Sequence, residues 1–191
     1  MSRKRMWAYV IGVALGDGNL SNPNGRAIRL RVTCDARYPI LGKHIISSLK
    51  FLLPNNAVSI VRVPGKNSYF NISVYSNEFK TWLPWQVGRG TKESQGAHVP
   101  VWIMRNKSYI KECLKGLIQT DGSIYRDRGY LMVNFTNHTR SLARDVYDML
   151  VASGYRPTLT STPSNRGKTK YTVRLAREAQ RLIDDLNLFK A

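Results

Sequence analysis

Acidic side chains are scarce in this chain: 12 Asp and Glu stand against 30 Lys and Arg, for a formal net charge of +18 over 191 residues. A folded domain this basic repels itself, and a polyanionic partner offsets that cost. Cysteine is scarcer still. Cys34 and Cys113 are the only two, and they form neither a CxxC pair nor a zinc-ligand spacing. Structural zinc and a disulfide framework are therefore not expected, and a reducing, intracellular setting is (bacterial or archaeal cytoplasm, or an organelle). Long apolar runs are also missing. No stretch approaches the roughly 20 residues of a spanning helix. The apolar run 7–15 ends at once in Gly-Asp-Gly, without the small-residue cleavage site of a signal peptide. An anionic membrane is thus the weakest candidate polyanion, behind DNA and RNA. What the chain does have is ordinary hydrophobic content, 42%, so it is a packed domain rather than a disordered basic tail.

The positive charge is spread evenly along the chain, and so is a repeat. VIGVALGDG at 10–18 and LKGLIQTDG at 114–122 are apolar helical runs ending in Asp-Gly. Each places a small residue four positions after a glycine: Gly12 then Gly16, Gly116 then Thr120. A turn-rich stretch and a strand of period two follow each run, at 27–33 and 130–136. Next comes a helix, 35–53 with Asp35 as its cap and 139–153 with Thr139 as its cap. Strands are expected at 57–63, 68–75, 156–162 and 169–175, and closing helices at 77–85 and 177–189. The fold class is α+β, a duplicated αββαββα unit. The expected divisions are a first repeat at 1–87, a polar, Gly-rich linker at 88–99 and a second repeat at 100–191.

The alternating strands sort their side chains by face. Apolar residues turn inward, and the other face holds Arg29, Arg31, Thr33, Tyr69, Asn71, Ser73 and Tyr75 in the first repeat. In the second repeat it holds Met132, Asn134, Thr136, Lys170, Thr172 and Arg174, with Ser123 and Tyr125 in the hairpin that precedes them. Apart from Met132, these side chains hydrogen-bond phosphates and base edges, so they are candidate DNA-binding residues. The strand at 57–63 does not alternate cleanly and receives no face. Lys66, Asn67, Arg166 and Lys168 occupy loop tips, where phosphate contact and plain solvation are equally open.

Small residues at a spacing of four let two helix backbones approach closely. If the two runs pack side by side, Asp17 and Asp121 meet at the edge of both sheets, facing the basic surface. Crowded like charges call for a positive charge between them. In a protein that binds phosphates, Mg²⁺ answers that need, because it is held by one or two carboxylates, water and substrate phosphates. Metal bound there would hydrolyse a phosphodiester.

The two segments resemble the motifs of LAGLIDADG homing endonucleases. The first matches at Gly12, Asp17 and Gly18, and the second at Leu114, Gly116, Leu117, Ile118, Asp121 and Gly122. The order of elements resembles the family's unit over nearly the whole chain, and residues 99–103 resemble its lead-in to the second helix. The resemblance implies a monomer with pseudo-twofold symmetry, two central motif helices and two saddle-shaped antiparallel sheets lying along double-stranded DNA. It implies cleavage of both strands of a long, pseudo-asymmetric site, leaving short 3′ overhangs. Asp17 and Asp121 would be the catalytic, metal-binding acids, with the carbonyls of Gly16 and Thr120 assisting. Mg²⁺ would be the cofactor, with Mn²⁺ or Ca²⁺ able to substitute in binding.

The sequence departs from the family at one point. Many members carry basic or amide side chains after the second strand of each repeat, and here those places fall at Asp35 and His138. Asn137 and Arg140 are the alternatives for that auxiliary role. An intein would need Cys or Ser at its start and His-Asn at its end, so a freestanding or intron-encoded frame is expected. Two other readings share the charge and the sheet faces: a non-cleaving nucleic-acid binder, such as an intron maturase or transcription factor, and a basic structural protein.

Overall fold

The computed structural model describes residues 1–163 and 167–188. Arg166 and the expected helix end at Phe189 lie outside the described residues. Two 15-residue helices form the centre, α1 (Arg3–Asp17) and α5 (Lys107–Asp121). Each begins on a side-chain cap. Ser2 accepts from the Arg5 amide, and Asn106 accepts from the amides of Ser108 and Tyr109. In α1 every residue from Trp7 to Leu15 is buried, as expected of a helix that is apolar all round.

Glycine sets the approach of the two helices. A Cβ on Gly12 would collide with the Cys113 carbonyl and lie 3.1 Å from the Leu117 amide nitrogen. A Cβ on Gly116 would collide with the Tyr9 carbonyl and lie 2.7 Å from the Val13 amide nitrogen. The backbones are therefore in direct contact on the faces where small residues were expected. Side chains also join the pair: Arg5 bridges to Glu112 at 2.5 Å, and the Tyr9 hydroxyl donates to Gln119 at 3.0 Å.

Each helix runs straight into a four-stranded antiparallel sheet. The first comprises β1 (Gly18–Ser21), β2 (Arg29–Asp35), β3 (Val58–Val63) and β4 (Lys66–Tyr75), in the order β1-β2-β4-β3. The second comprises β5 (Gly122–Asp127), β6 (Tyr130–Asn137), β7 (Thr158–Pro163) and β8 (Thr169–Leu175), in the matching order β5-β6-β8-β7. Leu30, Val32, Ile72 and Val74 bury one face, and Val133, Phe135, Val173 and Leu175 do so in the copy. The helices α2 (Pro39–Leu52) and α6 (Arg140–Ala152) follow the second strand of each sheet, and α7 (Ala179–Leu186) closes the second unit. The short α4 (Val101–Met104) forms the lead-in to α5.

Several boundaries depart from the sequence reading. The helix expected at 35–53 starts at Pro39, with Tyr38 as a cap that makes no side-chain bond. Pro39 sets the helical φ at that position, and Asp35 is the last residue of β2, paired with Tyr69. Asp35 therefore does not cap the helix. Thr139 is the cap residue of α6 but makes no side-chain cap bond. Asn137 Oδ1 accepts from the Thr139 amide instead, at 2.8 Å. The closing helix expected at 77–85 shrinks to one turn, α3 (Phe79–Trp82), just before Pro84. Gly18 and Gly122, which follow the motif acids, are extended, with φ of −78° and −84°. Glycine is needed there for space, because a Cβ would strike the backbone of Ala14 or Ile118 as the chain leaves the helix for the strand.

Candidate active site

Asp17 and Asp121 are the last residues of the paired helices, so the close packing carries both to the same edge. A Cβ on Gly16 would lie 3.5 Å from the carboxyl carbon of Asp121, which places the second acid against the end of the first helix. Asp17 is exposed and Asp121 half-buried. They are thus accessible charges at the mouth of the helix pair rather than an interior couple. The amide of Asn137 donates to Asp121 Oδ2 at 2.6 Å. Asn137 also receives the Thr139 amide, so its orientation is fixed from both ends.

The first repeat carries a different side chain at the place matching Asn137. Gly18 pairs with Val32 and Gly122 with Phe135, so the register that brings Asn137 to Asp121 puts Cys34 at the matching place, buried at 3% exposure. Asp35 is held by Arg37 through both guanidinium and backbone contacts, the shortest 2.6 Å. His138 is exposed and its Nδ1 lies 2.9 Å from the Thr169 carbonyl. Of the positions weighed for the auxiliary role, Asn137 hydrogen-bonds a motif acid.

A residue that sequence reading passed over supplies the positive charge. Lys92 lies in the connection between the repeats, yet its ammonium donates to the carbonyls of Ala14 at 3.3 Å and Leu15 at 2.6 Å, and also to that of Gly16. It lies 5.5 Å from the centroid of the Trp85 ring. Burial lowers its pKa below the usual lysine value, while the negative charges of Asp121 and Asp17 pull in the opposite direction. The connection that carries it is docked rather than loose. The Gln95 side chain bonds both backbone groups of Gln86, at 2.9 and 3.0 Å. Glu93 pairs with Lys168 at 2.5 Å, and the Val99 amide donates to Asp145 at 2.6 Å. The missing strand-end basic residues were the only sequence signal that a cation had to arrive from elsewhere.

Beside Asp17 a cleft of about 170 Å³ is lined by Thr33, Asp35, Gln119 and Thr120, with Tyr38, Leu41 and Ile45 also on its wall. Gln119 is fully buried, and its Nε2 has no hydrogen-bond partner among the described residues. A larger hollow of about 430 Å³ is lined by Lys107, Tyr155 and Asp185 near the start of α5, away from the acids.

The donor set suits a hard divalent cation. Two accessible carboxylates and the carbonyl-bearing end of a helix offer oxygen ligands only, the chemistry of Mg²⁺, Ca²⁺ and Mn²⁺. Gln119 lines the same cleft as Asp17, and its partnerless Nε2 calls for an oxygen acceptor. Among the described residues no three His, Cys, Asp or Glu side chains converge, so such an ion would depend on water and substrate phosphates for its remaining ligands.

Residues of the alternating faces pair across the strands, with Arg31 and Thr33 exposed, but Asn71 and Asn134, expected to face outward, are buried. Arg29 pairs with Tyr75, Arg31 with Ser73 and Thr33 with Asn71, and the Thr33 hydroxyl donates to Asn71 at 3.0 Å. In the copy, Ser123 pairs with Asn134 and Tyr125 with Met132. Asn134 pairs with Arg174 and Thr136 with Thr172, and the Asn134 amide donates to the Tyr125 hydroxyl at 2.8 Å. Lys170 pairs with Thr162 on the edge strand β7. The register adds residues that alternation alone did not assign: Asn19 beside Arg31, Ser59 beside Ser73, and Thr158 and Thr160 on β7. The tryptophans are packing residues, with Trp7 stacked on Trp82 at 5.0 Å and Trp82 edge-on to Trp102. His44 packs edge-on against Tyr9 at 4.8 Å.

Residues 108–187 match the pattern of a LAGLIDADG-like domain. No curated protein matches the sequence. Among solved structures, variants of the homing endonuclease I-DmoI superpose with a TM-score of 0.70 at 17% identity, covering 96% of each chain. I-DmoI in complex with DNA and Mn gives 0.68 at 18% identity, covering 97% of each. Full-length WhiA from Thermatoga maritima gives 0.68 at 13% identity, covering 98% of this chain and 56% of that one. No described helix is long and apolar enough to cross a membrane. The chain has the two-repeat LAGLIDADG fold, and its second half carries a LAGLIDADG-like domain.

Proposed function

We propose that this chain is a monomeric, sequence-specific endonuclease that cuts double-stranded DNA with the help of a divalent metal ion, as homing endonucleases do, leaving short 3′ overhangs. The observation that carries this reading is the meeting of Asp17 and Asp121 at the shared end of two glycine-packed helices, beside two basic sheet faces. Support also comes from the likeness of the whole chain to I-DmoI, which was solved with DNA and Mn.

In this reading Asp17 and Asp121 hold the metal. A divalent ion supplies Lewis acidity to the scissile phosphate and a lowered pKa to its bound water. The protein's own residues do the positioning. Asn137 fixes one carboxylate oxygen of Asp121. The arginines and polar side chains of the sheets bind phosphates and base edges. Two buried cysteines that form no disulfide, Cys34 and Cys113, fit a reducing compartment. An intron-borne gene would make the joined flanking sequence the target.

A second reading, nucleic-acid binding without cleavage, is favoured by one observation: the Gly16 carbonyl is already engaged by Lys92. DNA carrying the joined flanks of the gene, incubated with Mg²⁺, separates the two. The endonuclease reading expects linear product cut at one place, and Asp17→Asn or Asp121→Asn should abolish double-strand cutting while leaving DNA affinity unchanged. Binding to that DNA with no cut in either strand would establish the second reading instead.

A further inference from the structure

The duplication offers an internal comparison far from the acids. Ten residues before the motif acid the first repeat has Trp7 and the second has Lys111; fourteen before it, the first has Arg3 and the second Lys107. In the first repeat both places are closed. Trp7 is fully buried and stacks on Trp82 at 5.0 Å, and Arg3 pairs with Glu78 at 2.9 Å. In the second repeat both places are open. Lys107 and Lys111 are exposed, and neither forms a hydrogen bond or ion pair among the described residues. Glu178, which precedes α7 as Glu78 precedes α3, turns instead to Arg181 and the Arg156 amide. The two lysines line the hollow of about 430 Å³, together with Leu114, Ala152 and Leu186. The acid on its wall, Asp185, is already engaged: it accepts from the Tyr155 hydroxyl and lies 3.8 Å from Arg181 Nε. The uncompensated charge of the hollow is therefore positive.

We propose that this hollow is a binding site for a small organic phosphate. Lys107 and Lys111 hold its dianion, and Leu114, Ala152 and Leu186 take its apolar body. Side chains four apart on a helix are neighbours, with Cβ atoms about 5–6 Å apart, so the two ammoniums reach one anion. A phosphate monoester brings close to two negative charges at pH 7, whereas a carboxylate brings one. The volume is in the range of small-molecule sites. Lys111 stands about 15 Å along α5 from Asp121, so the site is separate from the two-acid centre and does not depend on how that centre is read.

The test is a titration of the full-length, DNA-free protein with phenyl phosphate at roughly physiological ionic strength, about 0.15 M, followed by amide chemical shifts. Saturable binding is expected with a Kd of about 1 mM or tighter, and with shifts concentrated around Lys111, Gly154 and Leu186. Inorganic phosphate lacks the apolar body, and benzoate has it with half the charge; each should bind about tenfold more weakly. Lys107→Gln/Lys111→Gln should weaken phenyl phosphate binding about tenfold. Lys50→Gln/Lys80→Gln removes the same charge from exposed places elsewhere and should leave it unchanged. Shifts spread over the sheet faces overturn the proposal, as does equal weakening by the two double variants; either leaves Lys107 and Lys111 as solvated charges of a basic chain. Equal affinity for phenyl and inorganic phosphate removes the apolar part of the site, and equal affinity for benzoate removes the dianion; each overturns the proposal as stated. Should Lys107→Gln/Lys111→Gln fail to fold, the wild-type shift pattern and the ranking of the three ligands decide alone.

Discussion

At the scale of single residues, the two halves of the centre are unequal. Asp121 is held by the Asn137 amide, whereas the matching place in the first repeat is the buried thiol of Cys34. Side chains that orient a metal-binding group are commonly worth 10- to 100-fold, so Asn137→Ala should slow cleavage by roughly that factor. DNA labelled separately on each strand should show the loss concentrated on one strand, with affinity unchanged; equal slowing of both would argue that Asn137 acts on the fold as a whole. The motif acids were legible from the sequence because they occur twice, in the same small-residue setting. Lys92 was not legible, because a lysine in a Gly-rich connection looks the same whether it is solvated or folded back. Only the docking of residues 88–99 through Gln95, Glu93 and Val99 brings it to the end of α1.

At the scale of elements, the contact between α1 and α5 decides whether the acids meet. Gly12 and Gly116 leave no room for a methyl group, because the partner backbone occupies the position where it would go. Overpacking a tight interface costs about 1–3 kcal/mol, so Gly12→Ala or Gly116→Ala should lower the urea midpoint by that equivalent. Either change should also reduce cleavage by separating Asp17 from Asp121; unchanged stability in both would contradict the close packing. The spacing of small residues announced this interface, since it depends on side-chain size alone. The starts of α2 and the extent of α3 were misplaced for a different reason. Asp35 looks like a cap locally, but its pairing with Tyr69 keeps it in the strand. Likewise, β3 shows no clean alternation in sequence, and its register with β4 shifts between Val61 and Val63.

At the scale of the whole molecule, the chain carries a net charge of +18 and two sheets of matching strand order. In the proposed reading each sheet meets half of a DNA site. If about ten phosphates are neutralised, log K should fall against log salt with a slope of about −9. A filter-binding series in rising KCl measures this, and a slope near zero would contradict the assignment of the sheet faces. The order of elements along the chain was readable because the repeat unit is written twice, and a second copy corroborates a pattern that one copy leaves ambiguous; the order of strands within each sheet was not read from the sequence. Which bases are read was not legible, since that depends on side-chain geometry and DNA bending.

The central claim is that Asp17 and Asp121 together carry metal-dependent cleavage. Its most direct measurement is the cutting of DNA bearing the gene's joined flanks by wild-type and Asp17→Asn/Asp121→Asn proteins, with Mg²⁺ and with excess EDTA. The expected result is double-strand cleavage by the wild type in Mg²⁺ alone, with none by the double variant although it still binds. Cleavage by the double variant at the wild-type rate, or by the wild type in EDTA, would contradict the account.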